Sequence, residues 1–168
     1  MRLVIEAMNW TCETHRLSEE MVHYCINVHR LSDGARLVIS DGAGKESTFV
    51  LVSSEGQWLA QRDGEVHETS NIAPVSVFFG LPKGDKLDRV VRQLSELGIA
   101  QLILVRMSRN VVVLDGARLD KRIERLRRVA TEAARQSQRS SILDIVGPID
   151  FSDALELSKG FTHALFCE

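Results

Sequence analysis

The amino-acid sequence predicts a two-part chain, a small β-rich body followed by a parallel α/β body. Three observations carry that prediction. Turn clusters recur at short intervals through residues 1–70, apolar runs alternate with helical stripes after Pro74, and the polar stretch Thr69–Pro74 separates the two rhythms.

In the first part, Arg2–Glu6 reads as a strand. Ser18–Val28 reads as one helix, with Ser18 at the N-cap and Glu19 and Glu20 in the first turn. Turn signals follow at Ser32-Asp33-Gly34, Asp41-Gly42-Ala43-Gly44, Ser54-Glu55-Gly56 and Asp63-Gly64. Between them lie the strand-formers RLVIS (36–40), STFVLVS (47–53) and QWLAQ (57–61). Short strands at this spacing predict a small antiparallel barrel or sandwich.

In the second part, VSVFFG (75–80) is apolar at successive positions, as a strand covered on both faces must be. Leu87, Val90, Val91, Leu94 and Leu97 form one helical stripe over 85–97, and Gly98 stands where a C′ glycine belongs. IAQLILV (99–105) is a second buried strand, and Asn110–Leu114 a short one. Ala117–Gln138 is a long helix with Leu119, Ile123, Leu126, Val129, Ala130 and Ala133 on its apolar face. ILDIV (142–146), a short helix over Ser152–Leu157 and a strand THALFC (162–167) complete the reading. Strands alternating with helices imply a parallel sheet, and this one looks unfinished because nothing follows its last strand.

Composition narrows the class. With 168 residues, 44% apolar and 26% charged, the chain has a globular profile rather than a disordered or disulfide-scaffold one. No apolar run approaches the roughly 18 residues of a membrane-spanning helix, and the N-terminus has no export signal. Cys12, Cys25 and Cys167 are odd in number and far apart, which implies free thiols and a cytoplasmic location. The net charge of −2 conceals a pattern: −5 over residues 1–74, +7 over 75–139 and −4 over 140–168. A basic middle points toward a polyanion partner.

Gly80-Leu81-Pro82-Lys83-Gly84-Asp85-Lys86 joins a strand to a helix. Amides there, with Lys83 and Lys86, can bind an anion, or the segment is an ordinary turn; it lacks the phosphate-loop pattern. The long helix carries Arg118, Lys121, Arg122, Arg125, Arg127, Arg128, Arg135 and Arg139. Arg118, Arg122 and Arg125 share one face, which suits phosphates or simply meets water. His15, His23, His29, His67 and His163 make no metal-ligand spacing with the cysteines, and no metal site is expected.

Leu81-Pro-Lys-Gly-Asp-Lys-Leu-Asp88, Glu96-Leu-Gly-Ile99, Arg109 and Glu132-Ala-Ala-Arg-Gln-Ser-Gln-Arg139 follow in order. Upstream stand Val28-His-Arg-Leu-Ser-Asp-Gly34 and Ile39-Ser-Asp-Gly42. This ordered set resembles the ribosomal RNA small-subunit methyltransferase E family (RsmE). The resemblance implies a PUA-like RNA-binding β-barrel over 1–72 and the first part of a SPOUT-type methyltransferase domain over 73–168. It further implies S-adenosylmethionine as cofactor, methylation of uridine N3 in small-subunit (16S) ribosomal RNA, and a homodimer. RNA-binding candidates are then Arg2, Arg30, Lys83, Lys86, Arg109, Arg118, Arg122, Arg125 and Arg139. The family builds its cofactor knot from a Gly-Pro-Glu-Gly-Gly loop and a later Arg…Glu-Thr segment, neither of which occurs here. Phe166, Cys167 and Glu168 would supply only the pocket rim, so the chain by itself is expected to be inactive and to self-associate near its C-terminus. The catalytic residues are not identified by the resemblance. Two other functions fit the residues: a non-catalytic RNA-binding module of the same descent, and an unrelated small-molecule-binding α/β protein.

Overall fold

The computed structural model describes residues 1–6, 8–68, 73–82, 85–108 and 116–166. The strand expected over Asn110–Leu114 lies outside them. The chain divides into two compact units, one of residues 1–71 with 135–141, the other of 72–134 with 142–168. Residues 135–141, expected in the second body, thus cluster with the first. Ser141 explains part of this, through bridges to Gly42 and Ala43.

Unit 1 contains β1 (Arg2–Val4), β2 (Thr14–Arg16), β3 (Arg36–Ser40), β4 (Lys45–Ser54), β5 (Gln57–Arg62) and β6 (His67–Glu68). The sheet runs β1-β3-β4-β5-β2, with β6 on β4; β1 is parallel to β3 and the other pairs are antiparallel. Strand β4 alternates strictly, burying Ser47, Phe49 and Leu51. The two apolar side chains meet Leu3, Leu37, Ile39 and Ala60 in one core. Glu55 and Gly56 turn β4 into β5 with φ of 50° and 75°, the two left-handed residues of a tight hairpin.

Two expectations change here. Among the described residues no pairing joins β1 to β2, so the sheet is an open path, and a closed form of the barrel or sandwich expected from the sequence is not found among them. Both terminal strands are three residues long, too short to carry a long ladder. The single helix over 18–28 is also divided. Helix α1 (Glu19–Val22) has Ser18 as its cap, the hydroxyl oxygen accepting from the Met21 amide, and it runs into a π-helical stretch, His23–Val28. The wider winding buries Cys25.

Unit 2 is a parallel sheet of β7 (Ala73–Gly80), β8 (Ile99–Arg106) and β9 (Asp144–Asp150), in that order. Helices α2 (Lys86–Leu97) and α3 (Gly116–Gln136) cover one face. There Leu87, Val91, Leu126 and Ala130 pack on Leu102, Leu104 and Ile145. Helix α4 (Phe151–Ser158) lies on the other face, where Ala154 meets Ile103 and Val105. Gly98 ends α2 in the left-handed conformation.

Strand β9 runs past the expected end at Val146 to Asp150, with the ladder shifting register around Gly147, which adopts φ 95°. The α2 stripe is rotated from expectation: Leu97 is 66% exposed and Ser95 is buried instead. The Ser95 hydroxyl compensates by donating to the Val91 carbonyl. The largest difference is at 162–167. Residues 163–166 form no strand, and Leu165 and Phe166 are 94% and 78% exposed. Apolar patterning reports a need for burial, whereas a strand also needs an edge to pair with.

Candidate nucleic-acid interface

Within unit 2, the expected basic face resolves into paired and unpaired cations. Arg122 and Arg125 sit one helical turn apart on α3 and reach Asp88 in the first turn of α2. The Arg122 guanidinium lies 3.1 Å from one Asp88 carboxylate oxygen, Arg125 binds the other, and Arg125 is also 3.9 Å from Asp85. Asp88 and Arg122 keep only 14% and 20% of their side-chain surface. Two of the predicted phosphate ligands are therefore already compensated by carboxylates, and they tie α2 to α3.

Arg118 and Lys86 differ. Both are exposed, and among the described residues neither has an ion-pair partner. Arg118 projects from the start of α3 and Lys86 is the first residue of α2. Lys83 and Arg109 lie outside the described residues, as do Cys167 and Glu168.

In unit 1, Arg2 is half-buried and bound to Glu46, where it serves the sheet. Arg30 is exposed at the end of the π-helical stretch with φ 54°. Arg139 is half-buried in the 135–141 segment. No sequence signal points to the cluster beside it. The Arg135 guanidinium stacks 5.2 Å above the Tyr24 ring, and Tyr24 meets His29 edge-on at 4.6 Å. Burial pushes the Cys25 thiol upward from its ordinary value, opposed by the nearby Arg135 charge.

The described residues do not by themselves fit a nucleoside-sized cofactor such as S-adenosylmethionine. Phe166, the described member of the expected rim, stands in solvent. A cavity of about 490 Å³ in unit 2 lies along α2, lined by Val90, Gln93, Leu94, Glu96 and Leu97, and offers few polar groups. Among the described residues no group of His, Cys, Asp and Glu could hold a metal ion, and no helix is long and apolar enough to cross a membrane.

Comparison with known proteins gives the lineage. The RNA methyltransferase domain family matches residues 68–168. A ribosomal RNA small subunit methyltransferase E of Bacillus subtilis is 30% identical over 150 residues, 88% of this chain and 59% of the relative. Another from Synechocystis is 28% identical over 99% of this chain and 54% of its own length. The chain thus spans little more than half the length of these relatives. A crystal structure of the Neisseria gonorrhoeae ribosomal RNA small subunit methyltransferase E bound to S-adenosyl methionine superposes with a TM-score of 0.81 at 25% identity, covering 92% of this chain and 64% of that one. The parallel α/β unit is the architecture expected for the SPOUT part. With the domain match running through more than half of its residues, the chain belongs to the RNA methyltransferase domain family, and it is similar to ribosomal RNA small-subunit methyltransferase E proteins.

Proposed function

We propose that the chain is part of an enzyme transferring a methyl group from S-adenosylmethionine to N3 of a uridine in small-subunit ribosomal RNA. The observation that carries this reading is the domain match over 68–168, which coincides with the parallel unit and the basic α2–α3 surface. Unit 1, acting in the manner of a PUA-like module, and the exposed cations Lys86 and Arg118 hold the RNA. Phosphate contacts position such a substrate, while base recognition needs further groups. Phe166, Cys167 and Glu168 belong to the rim of the cofactor site, and the working protein is a homodimer.

Chemistry requires the donor to be held within attack distance and aligned. Since the described residues do not build that holder, the 168-residue chain alone is inactive in this reading. Incubation with labelled S-adenosylmethionine and unmodified small ribosomal subunits tests it, with the Bacillus subtilis relative alongside. Binding of ribosomal RNA without turnover is expected of the chain alone. Methyl transfer at the relative's rate would overturn the claim of inactivity, and failure to bind ribosomal RNA at low salt would overturn the functional reading. Sedimentation equilibrium tests the dimer.

A further inference from the structure

Resting on the proposed RNA function, we infer that unit 1 holds an unpaired nucleotide of that RNA. Its base stacks on His29 and its phosphate meets Arg30, at the end of the π-helical stretch His23–Val28.

Charge selects the place. Residues 1–74 carry a net −5, so this body gains little from phosphates alone. Most of its cations are also occupied. Arg2, Arg36 and Lys45 bind Glu46, Asp63 and Glu68, and Arg62 donates to the Trp10 carbonyl. Arg16 and Arg30 are exposed without an ion-pair partner among the described residues. Of these two, only Arg30 follows an exposed ring.

The π winding builds the stacking surface. Its hydrogen bonds reach back five residues, and the His29 amide donates to the Tyr24 carbonyl at 3.1 Å. An α-helix would set residue 28 above residue 24, whereas the wider turn sets His29 there. The two rings accordingly meet edge-on, with centroids 4.6 Å apart. Tyr24 is itself fixed, packed against the unit 1 core with the Arg135 guanidinium 5.2 Å over its ring. His29 is thereby held in one orientation while it stays in solvent. An exposed ring with little freedom left to lose is suited to stacking an unpaired base.

The neighbours complete the fit. Val28, 55% exposed, adds apolar surface beside the ring. Asn27 donates through Nδ2 to His23 Nδ1 at 2.9 Å, which steadies the amide and leaves its oxygen and one N–H for a base edge. Arg30 adopts φ 54°, where glycine would be unstrained, and an arginine there sets a charge next to His29. Paired bases are stacked away inside a duplex, so the site takes single-stranded or loop segments.

Fluorescence anisotropy on the 168-residue chain tests this, with a short labelled single-stranded RNA and an abasic strand of equal length. His29→Ala should weaken single-strand binding by ~10-fold with an unchanged salt slope, and His29→Phe should retain it. Arg30→Ala should lower the slope by ~0.7, the loss of one phosphate contact. The abasic strand should bind the unaltered chain and His29→Ala alike. Because His29 is exposed, its variants should melt with the unaltered chain. Equal single-strand affinity in His29→Ala would overturn the inference and leave the proposed function standing. An equal loss on the abasic strand would overturn it too, because the backbone would then be the ligand. So would polyglutamate that displaces RNA from the unaltered chain but not from His29→Ala, which assigns the site to an acidic protein segment. No binding of either strand at low salt would overturn the functional reading, and the inference with it.

Discussion

The Asp88 carboxylate on α2 binds both Arg122 and Arg125 of α3. One acid thereby pairs with two of the three arginines that share a face in the sequence, and Asp85 lies near the second of them. The pairing also couples two helices covering the same side of the sheet. Asp88→Asn should cost about 1–2 kcal/mol, a range for a partly buried pair deprived of one charge. Thermal unfolding measures it, and an unchanged midpoint would show that the pair lies idle at the surface.

The same pairing separates the roles of the arginines in RNA binding. Arg118→Ala should weaken binding across RNA sequences and flatten the plot of log affinity against log salt. The slope should fall by up to ~0.9 on duplex, or ~0.7 on single strands, for each phosphate no longer neutralised. Arg122→Ala should leave that slope unchanged and lower thermal stability instead. Equal slopes for Arg118→Ala and the unaltered chain would remove Arg118 from the interface.

These two cases mark what can be read from one sequence. The α3 apolar face is visible because Leu126, Ala130 and Ala133 recur at helical spacing, and all three are buried. Strand β4 is visible through its alternation around Phe49 and Leu51. The Asp88–Arg122 pair is not, because it joins residues 34 positions apart in sequence on two helices that share one core against the sheet. The π-helical stretch is hidden for a related reason: His23–Val28 has acceptable helix formers, and nothing local specifies the wider turn. The Arg135–Tyr24 stack joins side chains 111 positions apart, which no local pattern can announce. In the candidate site, residue type indicates positive charge, but the neutralising carboxylates come from the fold.

Gly147 gives a severe test of the β8–β9 ladder. A Cβ there would lie 2.7 Å from the Leu104 carbonyl oxygen and 2.9 Å from the Ile149 nitrogen, both backbone atoms, and φ is 95°. Gly147→Ala should therefore cost on the order of 2–4 kcal/mol through strain and displaced backbone. Urea unfolding would show a lowered midpoint. A cost within about 0.5 kcal/mol, typical of a neutral surface change, would contradict this geometry.

Phe49 tests unit 1 in the same way. It is fully buried on β4 among Leu37, Ile39 and Leu51. Phe49→Ala should cost about 3–5 kcal/mol, the transfer term plus the cavity left behind. The effect should appear in the near-ultraviolet signal of Trp10 and Trp58, which pack against the same core. A cost below about 1 kcal/mol would mean the site collapses to fill the space.

Cys25 ties stability to alkaline pH. Burial raises its thiol above the ordinary value of 9.0, and the nearby Arg135 charge only partly offsets this. The native state consequently holds the proton more tightly than the unfolded chain does. Below the unfolded value the two states bind the same proton and the full stabilisation is present. As pH rises past it, the unfolded thiol ionises first, and stability falls until the folded thiol ionises too. Cys25→Ala should flatten this alkaline decline relative to the unaltered chain, whatever it does to stability at neutral pH. Alkylation gives a second measure, since the exposed Cys12 should react in the native protein and Cys25 only on unfolding. An identical alkaline slope in Cys25→Ala, or native-state labelling of Cys25 at the rate of Cys12, would show that this thiol is not held in the core.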